Sequence, residues 1–114
     1  MTQARGMERH ALVVGVRPER RAEYLELHSQ VWPQVEQTLR DAHVTNYSIF
    51  NVGDLLFAYY EYVGEDHAAD MARIAADPVT QQWWQHTDPC QVRVVEEREP
   101  GARWQPLDEI WHLP

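Results

Sequence analysis

The order of segment types along the chain predicts an α+β fold, with a four-stranded antiparallel sheet covered on one face by helices. Three observations predict it. Apolar, β-branched or alternating runs occupy residues 9–16, 44–51, 55–63 and 107–113. Helical periodicity fills residues 19–42, 65–76 and 79–86. Turn residues separate these runs, so the order reads β-α-β-β-α-β, the split ferredoxin-like arrangement.

Each element has its own justification. Residues 9–16 read Arg-His-Ala-Leu-Val-Val-Gly-Val, rich in the β-branched residues that favour extended backbone. Pro18 follows, its fixed φ suited to a first helical turn. Within 19–42, Tyr24, His28, Val31 and Val35 share one line, with Leu25 and Leu39 beside it. Pro33 interrupts that line. An interior proline costs ~3 kcal/mol, which predicts a kink or a fresh start near Val31 and Trp32. Val44, Asn46, Ser48 and Phe50 alternate with Thr45, Tyr47 and Ile49, and Val52-Gly53-Asp54 turns the chain into a second apolar run, a hairpin. Asp77 is placed to cap the last helix, with Pro78 at its first position. Residues 88–105 read as irregular, and Leu107–Leu113 as a terminal strand.

At 114 residues the chain suits one domain, expected over residues 8–114 with a loose leader over 1–7. Its net charge of -8, without a basic block, argues against nucleic acid as a partner. Cys90 is the only cysteine, which excludes an intrachain disulfide and any multi-cysteine metal site. No apolar run reaches membrane-spanning length and no secretory leader pattern is present, so a cytoplasmic protein is expected. The strand aromatics Tyr47, Phe50, Phe57, Tyr59, Tyr60, Tyr62 and Trp111 exceed what one helix layer covers. Either a homodimer buries the remainder, or the pocket occupies that face and the dimer forms elsewhere.

Tyr24 and His28, four apart, lie one above the other on an inward helical face. This is either a proton-transfer pair in an apolar wall or a core histidine satisfied by a phenol. The break at Pro33 puts His28 near a helix carboxyl end, which would raise its pKa. Trp83 and Trp84 point about 100° apart on a helix, so one can pack inward while the other lines a cleft. Indole faces suit the C–H faces of a sugar ring, although both can equally be packing residues. Tyr47 is a strand phenol able to reach the same space. Asp88 and Cys90 shape either a pocket rim or a capped turn. His10, His43, His67, His86 and His112 have no metal-ligand spacing, and neither a phosphate loop nor a serine elbow is present. No metal or cofactor is expected.

Arg17-Pro18, Tyr24…His28…Trp32-Pro33, Asn46-Tyr47-Ser48-Ile49-Phe50, Leu55-Leu56-Phe57, Trp83-Trp84 and Glu109-Ile110-Trp111-His112-Leu113 together resemble the L-rhamnose mutarotase family. The likeness runs from about Glu8 to the end of the chain. It implies a ferredoxin-like subunit that pairs into a dimeric α+β barrel and interconverts the α and β anomers of a free monosaccharide. It also implies His28 as the proton donor, toward the ring oxygen, and Tyr24, Tyr47, Trp83 and Trp84 as sugar-binding residues. Residues 87–91 and the loop after them depart from the form tied to L-rhamnose, and related members act on L-fucose. A cofactor-free monooxygenase on the same barrel, and a non-catalytic sugar-binding dimer, are the competing readings.

Overall fold

The computed structural model describes residues 6–114, so most of the leader expected over residues 1–7 lies outside the described residues. Strand β1 (Glu8–Val16) leads through a single 3-10 turn at Pro18–Arg20 into α1 (Arg21–Ser29). Helix α2 (Pro33–Asp41) then starts afresh, with Pro33 in its first turn. Proline is tolerated there because that N–H has no intrahelical acceptor. The backbone break falls at residues 30–32, where the proline demanded it.

Strands β2 (Val44–Val52) and β3 (Leu55–Tyr62) form the hairpin, with Val52 opposite Leu55 and Gly53 at φ 56° in the turn. Helix α3 (His67–Ala76) is capped by Asp66, whose carboxylate accepts from Ala69 N at 3.0 Å. Helix α4 (Pro78–Thr87) is capped by Asp77, which accepts from both the backbone N and the hydroxyl of Thr80 at 2.8 Å. The sheet order is β2-β3-β1-β4, antiparallel throughout. The last strand thus lies beside the first, as the split arrangement requires.

Two expectations are corrected. The terminal strand does not lie at residues 107–113. Edge pairing with β1 is made instead by β4 (Gln91–Val92) and β5 (Gln105–Pro106), within the stretch read as irregular. A buried glutamine stabilises the excursion between them. Gln105 accepts from Glu99 N at 2.8 Å and donates to Ala102 O at 2.6 Å, satisfying loop backbone that would otherwise need water. Residues 107–114 have no regular secondary structure; Leu107 N reaches Ala11 O at 2.8 Å and Glu109 pairs with Arg9 at 2.9 Å. Beyond them Ile110, Trp111 and Leu113 are 94%, 75% and 72% exposed, because no neighbouring strand lies alongside.

The second correction concerns β2. Strict alternation puts Thr45 with Tyr47 and Ile49. A bulge between Thr45 and Ser48, with Asn46 at φ 50°, adds residues to one strand and resets the phase. Val44 is therefore in the helix-side core, and Tyr47 stacks on Tyr60 of β3 at 5.6 Å. Two apolar clusters fill the space between sheet and helices. Val14, Val16, Tyr24, Leu56 and Cys90 form one, and Ala42, Val44, Tyr60, Tyr62 and Ile74 the other. The outer sheet face keeps Phe50 60% exposed.

A polar network secures α3 to the end of β3. Buried Asp70 accepts from the Tyr62 hydroxyl at 2.5 Å and from His43 Nδ1 at 2.9 Å, and pairs with Arg73. A Cβ at Gly64 would collide with that hydroxyl. The Tyr62 hydrogen bond, then His43 and Arg73, hold the Asp70 carboxyl down at about 2. A carboxylate depressed on folding contributes stability that is present above its unfolded pKa, near 4, and is lost as pH falls toward 2. Asp70→Asn is expected to lower Tm at pH 7 and to flatten the acid limb between about pH 4 and 2. Thermal melts followed by circular dichroism across that range check both effects.

Candidate functional site

Helix α1 ends at Ser29, which leaves His28 in its last turn and Tyr24 one turn earlier. The His28 Nδ1 lies 2.9 Å from the Tyr24 carbonyl oxygen, and the two rings pack at 4.2 Å. A carbonyl can only accept, so Nδ1 carries the proton and Nε2 of the neutral ring is left with a free lone pair. Burial pushes the imidazole below its ordinary pKa, and the Tyr24 carbonyl, which favours the protonated form, only partly offsets this. The rise expected from the helix carboxyl end is therefore overturned. Desolvation acts on the whole charge, whereas the dipole of a nine-residue helix supplies a fraction of one.

Trp83 on α4 is buried and meets His28 edge-on at 5.4 Å. Trp32, in the break between α1 and α2, meets Trp83 the same way at 5.2 Å and His86 at 5.7 Å. Trp84, next along α4, turns to the second core cluster beside Tyr60 and Tyr62. The two adjacent indoles thus part as helical geometry requires, one beside the imidazole and one over the sheet.

Three phenols cross this space. Tyr24 is held well above the ordinary tyrosine range by burial first and by nearby Tyr47 second, while a hydrogen bond from Gln91 works the other way. Desolvation raises Tyr47 as well, although 43% of the residue is accessible. Tyr60 is pushed up to about 12 by burial and then by Tyr47. All three remain protonated at any ordinary pH and act as neutral hydrogen-bonding groups.

His28 packs against both Tyr24 and Trp83, Tyr47 is near enough to raise the Tyr24 phenol, and Trp84 is not brought to the His28 ring but packs on the second cluster. Asp88 and Cys90 form a 3-10 turn after α4 that packs on α1. Cys90 is buried beside Tyr24, and Asp88 is half-buried, its carboxyl raised by burial and paired with Arg103 at 3.7 Å. Gln91, Trp104 and Arg103 were not legible as site residues. They arrive through the irregular stretch, and Trp104 packs on the Tyr24 cluster from the returning loop. Two shallow hollows lie elsewhere, around Thr38 and Asp77 and around His43 and Gly64, and contain none of the five expected residues. Two further histidines make contacts on the sheet: His10 stacks on His67 at 4.2 Å, and His67 Nε2 is 2.7 Å from the Tyr60 hydroxyl.

A family model described as L-rhamnose mutarotase matches residues 9–113. A protein named L-rhamnose mutarotase from Rhizobium meliloti is 34% identical over 110 residues, covering 94% of this chain and 99% of the relative. One from Phocaeicola vulgatus is 31% identical over 109 residues with the same coverage. The crystal structure of an L-rhamnose mutarotase from Formosa agariphila superposes with a TM-score of 0.71 at 26% identity, over 94% of this chain and 99% of that one. Tetracenomycin F2 cyclase from Streptomyces glaucescens, at a TM-score of 0.64 and 14% identity, shares the fold alone. With the family model spanning nearly the whole chain and relatives above 30% identity aligned end to end, the chain belongs to the L-rhamnose mutarotase family, isomerases that interconvert sugar anomers.

Proposed function

We propose that this protein is an L-rhamnose mutarotase that exchanges the anomers by ring opening and closure at His28. The observation that carries the reading is the pinned, neutral imidazole. The bond from Nδ1–H to the Tyr24 carbonyl fixes the tautomer and leaves Nε2 to meet a substrate hydroxyl. In the opening step Nε2 takes the proton of the anomeric hydroxyl as the bond from C1 to the ring oxygen breaks. The ring oxygen receives a proton from the phenol side, through Tyr24 or a water it holds. The aldehyde carbon rotates, the ring oxygen attacks again and returns its proton, and the imidazolium delivers its proton to the new anomeric oxygen. A resting neutral ring therefore accepts first and donates second, the reverse of the order implied by the resemblance. Tyr24 and Tyr47 hold sugar hydroxyls as neutral donors, and Trp83 and Trp84 wall the ring. General acid–base catalysis supplies ~10²–10⁴-fold, sufficient for a reaction that water already performs slowly.

The same reading includes a homodimer. The site residues lie between helices and sheet, which leaves the outer face, with Phe50 and Val52, free to meet a second copy. The exposed Ile110 and Trp111 of the tail would be covered by that copy as well. The working compartment in this reading is the cytoplasm; no helix among the described residues is long and apolar enough to cross a membrane.

Saturation-difference NMR of anomeric protons tests the activity, with L-rhamnose and L-fucose compared in parallel. His28→Ala is expected to lower the exchange rate roughly 100-fold or more while the fold persists. Exchange by the wild-type protein should fall on the acid side of a pKa below 6.5 and stay level through neutral pH, because protonation removes the Nε2 acceptor. A catalysed rate that climbs as pH drops through 6 would instead assign the imidazolium the first step. Sedimentation velocity should show a dimer that Phe50→Glu dissociates; a wild-type monomer at micromolar concentration would refute the pairing.

A further inference from the structure

We infer that Trp32 is a further sugar-binding residue of the same site, its indole giving the C–H face of a pyranose an apolar wall on the His28 side. This deepens the reading of the chain as a sugar mutarotase and rests on it.

The placement begins in the backbone. Trp32 precedes Pro33, and the pyrrolidine ring drives the residue before it out of the helical region. Its φ of -61° and ψ of 130° are accordingly extended. The Trp32 carbonyl accepts from Val35 N at 3.0 Å and from Glu36 N at 3.2 Å, two of the first donors of α2. These bonds tie the residue to the start of α2, so the indole leaves the break between the helices in a set direction.

That direction leads to the histidine. The Trp32 indole meets Trp83 at 5.2 Å and His86 at 5.7 Å, with interplanar angles of 68° and 75°. Neither neighbour lies flat on it, so neither is a stacking partner. Trp83 carries His28 at 5.4 Å as well, so the imidazole and the Trp32 indole both stand on one ring.

Burial separates the three indoles. Trp83 is 5% exposed and turns little surface outward, and Trp84 packs on the second core cluster. Trp32 is half-buried, with His86 exposed beside it. Trp32 therefore adds open indole surface next to the His28–Trp83 pair. An aromatic ring part-open beside hydrogen-bonding side chains matches a pyranose, which presents C–H faces between hydroxyls. The C–H face takes no part in the proton transfers, so this contact contributes to ground and transition states alike and acts on KM, not kcat.

Anomer exchange measured against L-rhamnose concentration supplies kcat and KM for two substitutions. Trp32→Leu keeps an apolar side chain without an aromatic face, and should raise KM about tenfold with kcat held within about twofold. Trp32→Tyr restores an aromatic face and should keep KM within about threefold of wild type. Equal KM values for the two variants, or a loss confined to kcat, would show a packing role and overturn the inference. The indole N–H resonances offer a second readout in the wild-type protein. The signal missing from Trp32→Tyr belongs to Trp32 and should shift as L-rhamnose is added; a signal that stays in place at high sugar would overturn the inference. Circular dichroism melts accompany both variants, and if Trp32→Leu unfolds the titration decides alone. Failure of the mutarotase reading is separately visible as absence of catalysed exchange by the wild-type protein, whether or not that signal shifts.

Discussion

The hydrogen bond between the His28 ring and the Tyr24 carbonyl is the constraint on which the site depends. It joins residues four apart on a helix, so its geometry is inherited from the helical repeat and needs no long-range assembly. Within α1 the same carbonyl is the acceptor position for the backbone N–H of His28, and its second lone pair takes the ring. The imidazole is thereby locked in one tautomer and one orientation. Everything else around it supplies surroundings: one indole from α4, another from the inter-helix break, and a phenol from the bulged strand.

Those surroundings decide the charge state. Near a helix carboxyl end in water, a histidine gains stability when protonated. Between Tyr24 and Trp83 it is desolvated, and the penalty on the charged ring outweighs the attraction of the carbonyl. The phenols move in the opposite sense for the same reason, since for them the charged form is the deprotonated one. The outcome is an imidazole and a set of phenols that are neutral at rest.

Separate forces hold the two ends of the molecule. At the far end of the sheet, Asp70, Tyr62, His43 and Arg73 fasten α3 through charge-assisted bonds. Near the site the fastening is apolar, through Val14, Val16, Leu56 and Cys90 against Tyr24.

The helices, the hairpin and the Tyr24–His28 pair were legible in the sequence because each depends on neighbours within a few residues. Pro33 ends a helix by its missing N–H, Asp77 caps by reaching three residues ahead, and Gly53 turns the hairpin. The short edge strands at residues 91–92 and 105–106, and the lack of one at 107–113, were misread because they depend on contacts distant in sequence. Gln91 and Gln105 adopt extended backbone only since β1 offers an unpaired edge, and residues 107–113, rich in strand formers, find no such edge. The phase of β2 was misjudged for a related reason: a bulge is stabilised by what its side chains meet, here Tyr60 for Tyr47 and Glu61 for Asn46 at 2.6 Å. Which residues carry protons was thus set by local sequence. Which way their pKa values move was set only by folding, because desolvation is the work of residues from the whole chain.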